Sequence, residues 1–161
     1  MASGFHLAFF LCLTSGLLIS LTRSTRIERH VAGCPHGWTQ YGARCFIVQT
    51  GHRTMADAEL TCTAFGGNLA SISSYGEHLF IRNLIFRTCG SFVTTWIGLF
   101  DAIQEGKWLW TDGSRVVFTH WGHREPNNAG GEHCTETNFR ESFWNDVPCH
   151  STKPFVCARK V

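Results

Sequence analysis

Trp121-Gly-His-Arg-Glu125-Pro-Asn-Asn-Ala-Gly-Gly-Glu132-His-Cys134 is the stretch that decides the fold. It has neither the 3.6-residue period of a helix nor the alternation of a strand. It continues an irregular segment from Thr111 that holds Gly113, Gly122, Pro126, Gly130 and Gly131. About twenty residues of irregular loop inside a small domain is uncommon and is usually functional. Outward from the loop, Trp96-Ile-Gly-Leu-Phe100 reads as a buried strand and Lys107-Trp-Leu-Trp110 as an alternating one. Phe143-Trp144 and Pro154-Phe-Val-Cys157 give the last strands. Helical patterns lie only upstream. Thr54 and Asp57 form a capping pair, and Met55, Ala58, Cys62 and Phe65 fall on one helical face that Gly66-Gly67 ends. Leu69–Ile72 is a short strand. Ser74 and Glu77 then open a second helix to about Phe86, with Phe80, Ile81, Leu84 and Ile85 apolar. Nearer the start, Cys34–Trp38 and Tyr41–Val48 suggest a hairpin. Two helices followed by short strands and a long loop predict an α+β fold, not the alternating order of a parallel sheet.

The chain has 161 residues, 43% hydrophobic and 16% charged, with six Trp. That composition belongs to one packed domain and excludes disorder. The net charge is +2, and no Lys/Arg block exceeds two residues, so nucleic acid is not an expected partner. Residues 7–21 form a charge-free apolar run, too short for a membrane span, which needs about 20 residues. The expectation is a signal peptide over 1–22 with cleavage about 20–24, a short leader over 23–33, and a domain over 34–161. The segment before the run has no Lys or Arg, only His6, which departs from a signal peptide's basic start; the rival reading, a signal anchor, would carry a basic tail and a stalk, and neither is visible. Secretion to the extracellular space agrees with eight cysteines in so short a chain. Removal of the signal takes Cys12 and leaves seven, an odd number whose pairing sequence alone does not fix. No Asn-x-Ser/Thr sequon occurs.

Oxygen-bearing side chains gather at Glu125–Glu132 and at Trp144-Asn145-Asp146. A hard cation such as calcium takes about 6–8 oxygen ligands from carboxylates, amides, backbone and water. Glu125, Asn127, Glu132, Asn145 and Asp146 offer three carboxylates and two amides. Softer metals favour Cys or His, which this set lacks. A cis bond before Pro126 would aim its two neighbours at one point.

Cys34-Pro-x-Gly-Trp, Trp96-Ile-Gly-Leu, Glu125-Pro-Asn, Trp144-Asn-Asp and the cysteines together resemble the C-type lectin domain family over residues 34–161, in its secreted single-domain form. The resemblance implies bridges Cys34–Cys45, Cys62–Cys157 and Cys134–Cys149. It implies calcium on Glu125, Asn127, Glu132, Asn145 and Asp146. Two sugar hydroxyls would complete the coordination, donating to Glu125 and Glu132 and accepting from Asn127 and Asn145. Glu-Pro-Asn order goes with mannose-type sugars in such proteins, and Gln-Pro-Asp with galactose.

The family's auxiliary calcium site is matched by Asp101, Glu105 and Asn128, but His133 stands where the pattern has Asp. Cys89 has no partner in the family scheme and is a candidate for an interchain bridge in a homodimer. A buried thiol is the other reading. His120, His123, His133 and His150 read as surface histidines, because no two have a zinc-motif spacing. Trp108, Trp110, Trp121 and Trp144 read as core. The function expected is secreted, calcium-dependent, mannose-type carbohydrate binding in glycan recognition or agglutination, in innate defence or venom. The alternatives are a galactose-binding lectin, or an ice-binding or protein-target venom module on the same fold. Neither Gly-x-Ser-x-Gly nor His-Glu-x-x-His occurs, and no enzyme is expected.

Overall fold

The computed structural model describes residues 33–161. The signal-peptide expectation, all but the last residue of the leader, and Cys12 lie outside the described residues. In chain order the elements are β1 Thr39–Tyr41, β2 Arg44–Arg53, α1 Met55–Ala64, β3 Asn68–Leu69, α2 Tyr75–Cys89, β4 Thr95–Phe100, β5 Leu109–Trp110, β6 Cys134–Phe139, β7 Phe143–Val147 and β8 Lys153–Lys160. The sheet runs β1-β2-β8-β4-β6-β7, with β3 beside β8 and β5 beside β4. Every pairing is antiparallel except β4 with β8. This is the α+β arrangement expected.

The two central strands are apolar without alternation because helices cover both of their faces. Successive side chains of a strand point to opposite faces. Phe155 and Cys157 of β8, with Trp96 of β4, pack with Met55, Ala58 and Cys62 of α1. Val156 and Ala158, with Ile97 and Leu99, pack with Ile81, Leu84 and Ile85 of α2. Gly98 admits no side chain: a Cβ there would lie 2.7 Å from Thr111 Oγ1 and 2.8 Å from the Leu69 carbonyl. The close approach lets Gly98 N–H donate to Ala70 O and Thr111 N–H to Gly98 O.

Bridges Cys34–Cys45, Cys62–Cys157 and Cys134–Cys149 are all formed, with 11, 95 and 15 residues of separation. By loop entropy, closures of these lengths range from about 3 kcal/mol for a 15-residue loop to about 4.7 for one near 100. Trp110 and Trp144 are buried, and Trp108 and Trp121 pack against the core from its edge.

Several local expectations need correction. Phe65 leaves the buried face because it is the C-cap of α1, with ψ near 4°, and it is exposed. α2 runs to Cys89, three residues past Phe86, and ends on Gly90 at φ 75°. Its last turn exposes Phe86, Arg87 and Thr88 and turns only Cys89 inward, so no apolar period marked it. β3 is only two residues long, and β5 keeps only Leu109 and Trp110 of the expected strand. β6 was not expected. Its residues Thr135, Glu136, Thr137 and Asn138 are polar yet buried, because it lies between β4 and β7.

Sequence reading also missed His78 of α2, which is fully buried. The Trp144 indole N–H donates to His78 Nδ1 at 3.3 Å, so that nitrogen must be unprotonated. Burial, and then the neighbouring His120 and Arg82, hold its pKa at about 4 against an ordinary 6.5. The unfolded chain therefore takes up this proton at a higher pH than the fold does. Stability contributed by neutral His78 is present above pH 6.5 and is lost as pH falls toward about 4, by at most about 1.4 kcal/mol per pH unit. Urea unfolding at pH 7 and pH 5 should show His78→Gln losing less stability on acidification than the parent chain. Equal losses would rule His78 out as their source.

Candidate functional site

The long loop is fastened to β7 along its length. Trp144 N–H donates to His120 O, and Gly122 N–H donates to Trp144 O, both at 2.8 Å. The Glu125–Pro126 bond is cis, and Arg124 sits at φ 67°. The chain then meets Asp146 of β7, which has no exposed surface. Its carboxylate accepts the N–H of Asn127 at 3.0 Å and of Asn128 at 2.7 Å. Ala129 N–H is shared between Asn127 Oδ1 at 2.8 Å and Glu132 Oε2 at 3.1 Å, which places those two oxygens side by side. Glu132 N–H closes the turn onto Asn128 Oδ1.

Glu125 stands against Asp146 and Glu132. Desolvation and then the Asp146 charge push the Glu125 carboxyl above its ordinary range. Desolvation and the same Asp146 charge raise Glu132 too. Glu125 Oε2 is buried with no hydrogen-bond partner. Asn145 lies one residue from Asp146 and faces β6, where its amide N–H donates to Glu136 Oε1 at 3.2 Å. The amide oxygen of Asn145 has no partner among the described hydrogen bonds.

Thus hydrogen bonds through the loop backbone tie Asn127 and Glu132 to Asp146, Glu125 lies near enough to feel the charges of Asp146 and Glu132, and Asn145 borders them. Three crowded carboxylates, an orphaned buried oxygen and amide oxygens fit a hard divalent cation. Glu136 was not anticipated. It pairs with Lys153 at 2.7 Å while orienting Asn145, and only knowledge of β6 would have shown it opposite that residue.

The second group also assembles. Asp101 is buried at the end of β4, and its Oδ1 lies 3.0 Å from His133 Nδ1. Glu105 Oε2 lies 3.4 Å from the same nitrogen. Asn128 turns its amide N–H to Glu105 at 2.7 Å and its oxygen to Glu132 N–H, so its role is that of a strut between the two groups. His123 and His150 are exposed, as expected of surface histidines. His120 departs from that reading, because it packs between His78 and Phe143 and is partly buried. Cys89 makes no disulfide among the described residues, and its half-buried side chain packs against the core, where burial raises its pKa.

Hydrogen bonds to a charged acceptor contribute about 1.5–3 kcal/mol each. Asp146→Ala should therefore speed amide exchange at Asn127 and Asn128 about tenfold or more without calcium, and leave α2 protected. Hydrogen-exchange mass spectrometry on both chains reads this directly. Unchanged loop exchange would show that something other than Asp146 holds it.

Residues 51–159 match the Lectin C-type domain family. The chain is 41% identical to the galactose-specific lectin nattectin of Thalassophryne nattereri, over 100% of each chain. It is 37% identical to the lactose-binding lectin l-2 of Anguilla japonica, over 98% of this chain and 97% of that one. Among solved structures, a calcium-independent type II antifreeze protein superposes with a TM-score of 0.72 at 32% identity, covering 83% of this chain and 98% of the other.

Proposed function

The chain belongs to the C-type lectin domain family, which makes it a binding domain rather than an enzyme, and on that premise we propose that it is a secreted, calcium-dependent lectin for mannose-type glycans. The observation that carries this reading is the loop's attachment to the buried Asp146 through Asn127, with Glu132 beside Asn127 and Glu125 raised by the neighbouring carboxylates. When bound, calcium relieves the repulsion among these carboxylates and offers open positions to two neighbouring hydroxyls. The residues themselves do the discriminating. Glu125 and Glu132 accept hydroxyl protons, and Asn127 and Asn145 donate amide protons. Asn145 has one N–H committed to Glu136, which fixes the plane of its amide. The Glu-Pro-Asn order sets the acid before the amide and supports the mannose reading.

A second reading, galactose-type binding, is supported by the two relatives whose names specify galactose and lactose. The antifreeze neighbour shows that the fold also exists without calcium dependence. Against that use here stands the crowding of three carboxylates, which a calcium-free module has no need to maintain. The lectin domain extends over residues 34–161, behind a signal peptide and a short leader. Three disulfides support an extracellular setting.

Oxidised protein is expected to bind immobilised mannose with calcium and to be released by EDTA and by free mannose. Glu125→Gln with Asn127→Asp should weaken mannose binding about tenfold or more, roughly 1.4 kcal/mol, and favour galactose. Release by galactose alone from the parent chain would establish the second reading. Calcium binding with no retention on a multivalent glycan array would overturn both.

A covalent homodimer through Cys89 is part of this proposal, because pairing weak sites raises avidity by roughly 10²–10⁴ where geometry allows. On a non-reducing gel, Cys89→Ser should run only as a monomer. A surviving dimer would place the bridge elsewhere, and a monomeric parent would leave Cys89 as a thiol packed on the core.

A further inference from the structure

We propose that Asp101, Glu105 and His133 form a zinc site, separate from the calcium loop and sharing no ligand with it. Among the described residues, these three donor atoms lie within 4.8 Å of one another. The His133 nitrogen is 3.0 Å from Asp101 Oδ1 and 3.4 Å from Glu105 Oε2. Such spacings suit donors around a cation held at about 2.0–2.2 Å.

The donor types favour zinc over calcium. Calcium takes oxygen, whereas an imidazole nitrogen with two carboxylates suits zinc. Histidine replaces an aspartate of the family's auxiliary calcium pattern, so a hard site loses one charge and gains a borderline ligand.

The charge balance also admits a cation, which would replace the His133 ring as the partner of Asp101 Oδ1. The Asp101 side chain is wholly buried, yet no Lys or Arg lies within 4.0 Å of it or of Glu105 among the described residues. A buried carboxylate without a fixed positive partner is costly unless a cation or hydrogen bonds compensate it. The surroundings are those of an oriented ligand set: Gly106 N–H holds Asp101 Oδ2 at 2.7 Å, and Asn128 holds Glu105 at 2.7 Å. His133 is partly exposed and Glu105 exposed, which leaves a path for the metal and for a water as fourth ligand. Zinc here clamps the Asp101–Gly106 turn to the Asn128–His133 segment.

The test titrates Zn(II) into the oxidised full chain in excess calcium, by calorimetry, with thermal unfolding and Co(II) absorption alongside. One zinc per chain and a raised unfolding midpoint are expected. His133→Ala should lower zinc affinity at least about tenfold and abolish the thermal shift. His133→Asp should lose zinc and gain a second calcium, read by Tb(III) luminescence, which also shows that a variant at this position folds. Zinc binding that survives in His133→Ala would locate it on other histidines and overturn the proposal. Two calcium ions and no zinc in the parent chain would make the trio a hard-cation site. Binding of neither metal would reduce it to a histidine–carboxylate pair. None of these outcomes depends on the sugar bound at the calcium loop.

Discussion

The Asp146 carboxylate governs everything the long loop does. It is fully buried on β7, and both its oxygens accept backbone N–H groups of Asn127 and Asn128. A buried charge must be paired or hydrogen-bonded, so the loop cannot move away without stranding it. Desolvation, and then the same charge, lift the Glu125 and Glu132 carboxyls. One residue thus anchors the loop and creates the electrostatic need that a cation answers. The Cys134–Cys149 bridge brackets β7 from outside and keeps Glu132 within reach of Asn145 and Asp146.

Asp146 can act as an anchor only because β7 is itself held still. β7 hangs from β6, β6 from β4, and β4 is wedged between α1 and α2. Trp144 links this frame to α2 through its bond to His78. Rigid strands carrying a loop of precise chemistry is the usual division of labour in binding domains. Here the strand side supplies Asn145 and Asp146, and the loop side supplies Glu125, Asn127 and Glu132.

The helices were legible because capping pairs and a 3.6-residue period are local. Thr54 and Ser74 cap as expected, each accepting the N–H three residues on. β4 and β8 were legible as apolar runs. β6 was not. Its burial is imposed by neighbouring strands, and Thr-Glu-Thr-Asn carries no apolar signal. Its hairpin to β7 turns through Arg140 and Glu141, at φ 38° and 81°, where the usual Asn-Gly signal is absent. Glu125, Asn127, Glu132, Asn145 and Asp146 could be singled out from sequence because oxygen-bearing side chains, not secondary structure, mark them. Glu136 escaped because its relevance arises only through cross-strand register with Asn145. His78 escaped because a lone histidine in a helix has no distinguishing pattern until its partner, Trp144, is known.

Asn128 shows why the two acidic groups must be considered together. It sits at φ 49°, and its four polar groups are all committed: backbone N–H to Asp146, backbone carbonyl to Gly131 N–H, side-chain oxygen to Glu132 N–H, side-chain N–H to Glu105. Moving Glu105 pulls on Asn128, and Asn128 cannot follow without releasing Asp146 or Glu132. A cation at either group would therefore bear on the backbone that serves the other. Coupling of this kind needs no separate conformational state. It follows from one amide spanning two acidic groups, of which the second already sets His133 against its carboxylates.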